Sequence, residues 1–232
     1  DTLSDRYPEL DVAAVNGPTS VTVSGDPAAL ERLRAQYSEA GVLTWPVPGV
    51  DFAGHSPQVE ELREELLTLL AGTAPRTSDI PFYSTVSGGP LDTMGLDAAY
   101  WYENLRRPVE FGRAVDALIA DGHRTFVECS THPALTVWLQ QAVEAAGAGD
   151  GAVVGTLRRA EGGPGRFLAA LTELQVRGLR VDWGTVFAGT GARRRPLPTY
   201  AFQQQRYWLD SAPDRPAGTL TGTDATTGTG PA

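Results

Sequence analysis

The sequence predicts an α/β protein, a layered body of helices and parallel strands preceded by part of a small α+β unit. Two patterns carry this expectation. Beyond about residue 59, short apolar runs of strand character alternate with helical apolar stripes, as in parallel sheets covered by helices. Before it, the first fifty residues run strand, turn, strand, helix, strand, and such a unit needs a further element to cover its sheet. The chain is therefore expected to start partway through a fold. No internal repeat is present.

In chain order, Val12–Val15 is a short apolar run closed by Asn16-Gly17-Pro18, a turn signal. Ser20–Ser24 alternates Val21 and Val23 with Thr22 and Ser24, as a half-buried strand does. Asp26-Pro27 opens a helix with a capping side chain and proline at the first helical position. Leu30, Leu33 and Tyr37 share its inner face, and Gly41 ends it. Val42–Val47 is expected to return as a strand. Val59, Leu62, Leu66 and Leu69 line the next helix, with Glu60, Glu61, Glu64 and Glu65 on its wet side. Ile80–Val86 reads as a strand bounded by Ser87-Gly88-Gly89-Pro90. Phe111, Val115, Leu118 and Ile119 mark a helix, and Thr125–Glu128 a short buried strand. Leu135, Trp138, Leu139, Ala142 and Val143 form another helical stripe. Ala152–Gly155 is a strand, and Phe167, Leu168, Leu171 and Leu174 belong to a last helix.

After Gly189 the character changes. Arg193-Arg194-Arg195 leads into Pro196-Leu197-Pro198-Thr199-Tyr200-Ala201-Phe202 and on to Arg206-Tyr207-Trp208. Prolines interleaved with aromatics suit an extended segment clamped onto a surface. From Ser211 to Ala232, Thr, Gly, Ala, Pro and Asp dominate, the composition of a flexible linker.

Composition narrows the function classes. The 232 residues are 41% hydrophobic and 20% charged, enough apolar mass for a core and too much for a disordered chain. The single cysteine, Cys129, excludes an internal disulfide and a Cys-rich zinc site. No apolar run approaches the roughly 18 residues of a membrane span, and Asp1–Arg6 lacks the character of a signal peptide. The expected compartment is the cytoplasm, with no membrane partner. A net charge of −9, from 28 acidic against 19 basic residues, argues against nucleic acid as a partner. All 19 basic residues are arginine, which removes lysine nucleophile and Schiff-base chemistry.

General-base candidates are limited to His55, His123 and His132. His55 lies in Val50-Asp51-Phe52-Ala53-Gly54-His55-Ser56-Pro57, between an expected strand and an expected helix, where α/β folds place working groups. The alternative is a structural histidine. His123, in a helix-to-strand turn, reads as a surface residue, and His132, in Ser130-Thr131-His132-Pro133, as a support for helix entry. Gly54-His55-Ser56-Pro57-Gln58 resembles the Gly-x-Ser-x-Gly nucleophile elbow but has Gln58 where the second glycine belongs. Pro57 also lacks the amide hydrogen that the residue after a nucleophile lends to an oxyanion hole. Ser56 is thus a poor nucleophile, and no other serine fits. The residues offer a base without a partner.

Val50–Pro57, Tyr100-Trp101-Tyr102-Glu103-Asn104-Leu105-Arg106-Arg107-Pro108-Val109-Glu110-Phe111 and Val127-Glu128-Cys129-Ser130-Thr131-His132-Pro133 together resemble the acyltransferase domain of modular type I polyketide synthases. Leu197–Trp208 is similar to the segment that follows that domain, and the likeness runs in order from about Val12 to Leu209. The resemblance implies a malonyl-transacylase-like fold: an α/β-hydrolase-type body with an inserted ferredoxin-like subdomain. On that reading residues 1–50 are the C-terminal part of the small subdomain and 51–189 the C-terminal part of the α/β body. Residues 190–210 are then the post-acyltransferase strap, and 211–232 a disordered linker.

The implied activity moves an acyl unit from an alkylmalonyl-coenzyme A to a serine, then to the phosphopantetheine arm of an acyl carrier protein. Such exchanges need a base, an oxyanion hole and a carboxylate anchor, but no metal and no resident cofactor. His55 stands at the family's catalytic base position. Asn104 stands at the position whose oxygen orients that imidazole. The serine elbow, the substrate-binding arginine and the oxyanion loop belong to the upstream half of the domain and have no counterpart here, so the chain alone is expected to be inactive. Phe52-Ala53-Gly54-His55 occupies the place of the family's substrate signature, Tyr-Ala-Ser-His for methylmalonyl and His-Ala-Phe-His for malonyl units. Gly54 would open space and Phe52 keep an aromatic wall, favouring a methylmalonyl or bulkier unit. The implied partners are the upstream half of the domain, a ketosynthase domain reached through the strap, and the carrier protein. The competing class is a non-catalytic docking surface for ketosynthase and carrier protein domains.

Overall fold

The structure is a computed structural model that describes residues 3–47, 49–147 and 151–199. After a single helical turn α1 (Leu3–Arg6), β1 (Leu10–Gly17) and β2 (Ser20–Gly25) pair antiparallel, with Leu10 opposite Gly25 and Gly17 opposite Ser20. Gly25, at φ 144°, has the Glu9 carbonyl oxygen where a Cβ would stand, so only glycine fits there. Asp26 caps α2 (Pro27–Glu39) by accepting the Ala29 amide hydrogen at 2.8 Å, as its sequence signal implies.

Val42–Val47, expected as a strand, forms none. These residues are exposed, Leu43 at 86% and Trp45 at 63%. Pro46 removes one amide donor, and among the described residues no strand runs alongside to pair with the rest. Apolar content alone does not make a strand without a neighbouring edge. The helix expected from Val59 to Leu69 divides into a 3-10 segment, Pro57–Leu62, and α3 (Arg63–Leu69). Of its apolar stripe only Val59 is buried, while Leu62 and Leu69 are exposed.

The expected strand at residues 80–86 shrinks to β3 (Phe82–Ser84), which turns back at Gly88 into β4 (Gly89–Leu91) as an antiparallel pair. Gly88 takes φ 73°, and its amide donates to the Ser84 carbonyl at 2.8 Å. α4 (Ala98–Arg106) follows, capped by the Asp97 carboxylate on the Tyr100 amide. It was not among the elements the periodicity predicts. α5 (Phe111–Ala120), β5 (Thr125–Glu128), α6 (Thr136–Ala145), β6 (Ala152–Gly155) and α7 (Pro164–Val176) then match the expected order.

β5 and β6 are parallel, with Thr125 opposite Ala152 and Glu128 opposite Gly155. Among the described residues this is the one parallel strand pair; β1–β2 and β3–β4 are hairpins, so the expected parallel sheet is only partly present. The core sits on β5–β6: Val115 and Ile119 of α5 and Leu139 and Val143 of α6 pack with Phe126. Val154, Ala170 and Leu174 close the other face. Each of these Val, Leu, Ile and Phe side chains contributes about 1.5–3 kcal/mol by leaving water. The hairpin joins this body through Val109, whose amide donates to the Ala13 carbonyl and whose carbonyl accepts from the Val15 amide, both at 2.9 Å.

The chain divides into two units, Asp1–Asp182 and Trp183–Ala232. The second begins with a single turn α8 (Trp183–Val186), where the Trp183 and Phe187 rings stack at 5.9 Å. Residues 192–199 form no helix or strand and are exposed, Leu197 at 85%. The rest of the expected strap, Tyr200–Trp208, and the linker Ser211–Ala232 lie outside the described residues.

Candidate active site

His55 occupies a backbone conformation that side-chain-bearing residues seldom take, φ 58°. The left-handed region costs a non-glycine residue about 1–2 kcal/mol, so the surrounding structure must hold it. Four hydrogen bonds do. The His55 amide donates to the Leu105 carbonyl at 2.9 Å. The Ser24 hydroxyl donates to the Gly54 carbonyl at 2.8 Å, and the Ser56 hydroxyl donates to the Ala53 carbonyl at 2.7 Å. The fourth is made by the imidazole itself, whose Nδ1 lies 2.8 Å from the Arg107 carbonyl oxygen.

That last contact fixes the proton. A backbone carbonyl only accepts, so Nδ1 carries the hydrogen, and in the neutral ring Nε2 keeps its lone pair. In that neutral form the His55 ring presents an acceptor at Nε2. Arg107 offers its carbonyl because Pro108 bars it from the helical region. α4 ends at Arg106, and Arg107 turns extended at φ −84°, ψ 156°, releasing a carbonyl with no intrahelical partner.

The resemblance assigns the orienting oxygen to Asn104, whereas the oxygen that His55 Nδ1 meets in the structure is the Arg107 carbonyl. Asn104 is half-buried on α4, and its side chain makes no hydrogen bond among the described residues. A helix end supplies backbone carbonyls, and Leu105 and Arg107 reach the loop before any side chain of α4 does. The Arg-Pro pair was the available signal for this. Arg106 secures α4 to the segment after His55 through Glu60, with Nε and Nη2 both 2.9 Å from Oε1. Val59 and Tyr102 are buried on the same segment and helix.

Phe52 and Gly54 are in contact. A Cβ built on Gly54 would come within 2.9 Å of the Phe52 ring at Cε2. The space expected to open at Gly54 is therefore taken up by Phe52, whose ring is otherwise 60% exposed. Ala53 is half-buried and contributes the carbonyl that Ser56 binds. Ser56 is only 1% exposed, and its hydroxyl also accepts the Gln58 amide hydrogen to cap the 3-10 segment. It is a structural serine.

The other histidines stand apart in role. His123 is exposed, with its ring edge-on to Tyr83 at 6.0 Å. His132 accepts the Arg159 amide hydrogen at Nδ1, 3.3 Å away. In the same motif Glu128, at the end of β5, receives the amides of Ala134, Leu135 and Thr136 at 2.8–3.0 Å. Its carboxylate thus caps α6, where negative charge meets the positive end of the helix. Among the described residues no group of three His, Cys, Asp or Glu side chains could hold a metal ion.

The family model of the acyl transferase domain matches residues 2–181. The chain belongs to that family. Among its relatives, the spectinabilin polyketide synthase system protein NorA' of Streptomyces orinoci is 53% identical over 218 residues, 94% of this chain and 6% of that protein. Polyketide synthase GfsE of Streptomyces halstedii is 53% identical over 209 residues, 90% of this chain and 5% of that protein. The solved acyltransferase domain from module 8 of the salinomycin polyketide synthase superposes with a TM-score of 0.74 at 48% identity, covering 79% of this chain and 44% of that one. A malonyl-CoA:acyl carrier protein transacylase from Xanthomonas oryzae, 22% identical with a TM-score of 0.58 over 70% of this chain and 49% of that one, shares the fold. The acyltransferase fold here is thus the α/β malonyl-transacylase type. The chain spans under half of the solved acyltransferase domain and a small fraction of the curated relatives. No helix among its described residues is long and apolar enough to cross a membrane.

Proposed function

We propose that this chain is the histidine-bearing, C-terminal portion of a polyketide synthase acyltransferase, and that His55 is its general base. The observation that carries the reading is the contact between His55 Nδ1 and the Arg107 carbonyl, which in the neutral ring puts the lone pair on Nε2. The acyl-carrying serine lies outside these 232 residues, and the chain by itself transfers no acyl group.

In the first half-reaction Nε2 takes the serine proton as the oxygen attacks the thioester carbonyl of an acyl-coenzyme A. The C–S bond breaks, and the departing thiolate recovers the proton from the imidazolium. In the second, Nε2 takes the proton of the carrier protein's phosphopantetheine thiol, the sulfur attacks the serine ester, and the serine leaves reprotonated. An uncharged carbonyl behind the ring stabilises the imidazolium less than a carboxylate would, which suffices for thioester exchange. The unit is an alkylmalonyl, methylmalonyl or bulkier. Support comes from Phe52-Ala53-Gly54-His55, which departs from the malonyl signature His-Ala-Phe-His at its first and third positions. A ketosynthase domain and an acyl carrier protein are the proposed neighbours.

A second reading, a docking surface without catalysis, is favoured by the exposure of Val42, Leu43, Trp45, Val47 and Val50. One experiment separates the two. A polypeptide carrying the complete acyltransferase domain that contains this chain is given equal malonyl-, methylmalonyl- and ethylmalonyl-coenzyme A. Its intact mass should rise by a methylmalonyl or ethylmalonyl unit. A malonyl adduct alone overturns the selectivity, and no adduct at all favours the docking reading.

A further inference from the structure

Ser24, at the end of β2, is remote in sequence from the His55 loop, yet its hydroxyl donates to the Gly54 carbonyl at 2.8 Å. The peptide that this carbonyl belongs to is the one whose nitrogen is His55's. In a trans peptide the C=O and N–H point in opposite directions. The Gly54–His55 plane is therefore pinned on both edges: by Ser24 from the hairpin, and by the Leu105 carbonyl from α4, which accepts the His55 amide at 2.9 Å. The Ser56–Ala53 bond lies one peptide earlier and does not touch this plane.

The pinning matters because His55 is at φ 58°. Leaving the left-handed region means a change of φ at His55, and whatever part of it a counter-rotation of ψ at Gly54 does not absorb swings the Cα–Cβ bond and draws Nδ1 off the Arg107 carbonyl. We propose that Ser24 is a positioning residue: its hydroxyl locks the Gly54–His55 peptide and so holds the His55 imidazole in the one tautomer that leaves Nε2 free. This rests on the reading of His55 as the base for its functional meaning, but the locking itself is measured separately from catalysis.

The test is 15N NMR of the 232-residue chain with the ring neutral, the His55 signals being identified by their loss in His55→Gln. The wild type should show a protonated Nδ1 and an unprotonated Nε2. Ser24→Thr and Ser24→Val have the same shape, and both suit a strand; only the first keeps a hydroxyl. Ser24→Thr should retain the wild-type signals, while Ser24→Val should average the two tautomers. In the complete acyltransferase domain Ser24→Val should lower kcat for acylation about ten- to hundredfold with KM unchanged, and Ser24→Thr should restore it. Wild-type tautomer signals in Ser24→Val, or the same averaging in both variants, would overturn the proposal. A tautomer lost in Ser24→Val while acylation stays at the wild-type rate would leave Ser24 as the lock and refute His55 as the base.

Discussion

The imidazole of His55 donates from Nδ1 to the backbone carbonyl of Arg107 at 2.8 Å, and Pro108 is the reason that carbonyl is free to receive it. A proline 53 positions along the chain from the histidine thus bears on which ring nitrogen carries the hydrogen in the neutral ring. The other bonds around the loop hold His55 in its left-handed conformation, and each makes a distinguishable demand on the molecule.

Ser56 holds the loop and does no chemistry. Removing its hydroxyl takes away a cap and leaves the Ala53 carbonyl without its partner. Ser56→Ala should lower the unfolding free energy by about 1–2 kcal/mol in urea titration. A fluorophosphonate probe should label neither the wild-type chain nor the variant. Labelling of the wild type that disappears in Ser56→Ala would instead make this serine a nucleophile.

Much of the body was legible in the sequence, for a physical reason. Thr125–Glu128, Ala152–Gly155 and the stripes of α5, α6 and α7 bury their apolar residues against one another, so their periodicity reports a core contained in the chain. Val42–Val47 and the stripe ending at Leu69 carry similar apolar content, but most of it is exposed, and the pattern there misleads. The site divides in the same way. His55 was visible as a rare residue type in a loop before a helix. The Arg107 carbonyl that its Nδ1 meets was not, because a backbone carbonyl has no residue identity.

Glu128 should matter to stability more than an exposed acid does. Its two oxygens accept three amide hydrogens at the start of α6. Glu128→Ala strands those donors and should cost about 1.5–3 kcal/mol in urea titration, with Glu128→Gln recovering part of the loss. A change within about 0.5 kcal/mol, typical of neutral surface positions, would mean that the cap carries no weight.

Gly54→Ala places a methyl group against the Phe52 ring at 2.9 Å. Phe52 is exposed enough to swing aside, so stability should change by no more than about 0.5 kcal/mol. The Phe52 ring resonances should shift, and in the complete acyltransferase domain selectivity should move toward malonyl by about 1–3 kcal/mol. Unchanged selectivity with a displaced ring would remove Phe52 and Gly54 from the substrate site.

Tyr83 donates its phenolic hydrogen to Asp121, and this bond, then burial and the carboxylate's charge, raises its pKa above the ordinary 10.0. The protonated form is the one favoured by folding. The contribution is therefore fully present below pH 10 and is lost as pH rises through the folded value. Ultraviolet pH titration should find Tyr83 ionising above the ordinary 10.0, and Asp121→Asn should lower its midpoint; an unchanged midpoint in Asp121→Asn would contradict the assigned cause.

The most direct measurement is the rate at which the complete acyltransferase domain acylates itself from its acyl-coenzyme A at neutral pH, with His55 intact and as His55→Gln. A base lost from Nε2 should slow acylation by about 10²–10⁴-fold while the domain still folds and binds the thioester. Acylation at the wild-type rate in His55→Gln would contradict the account.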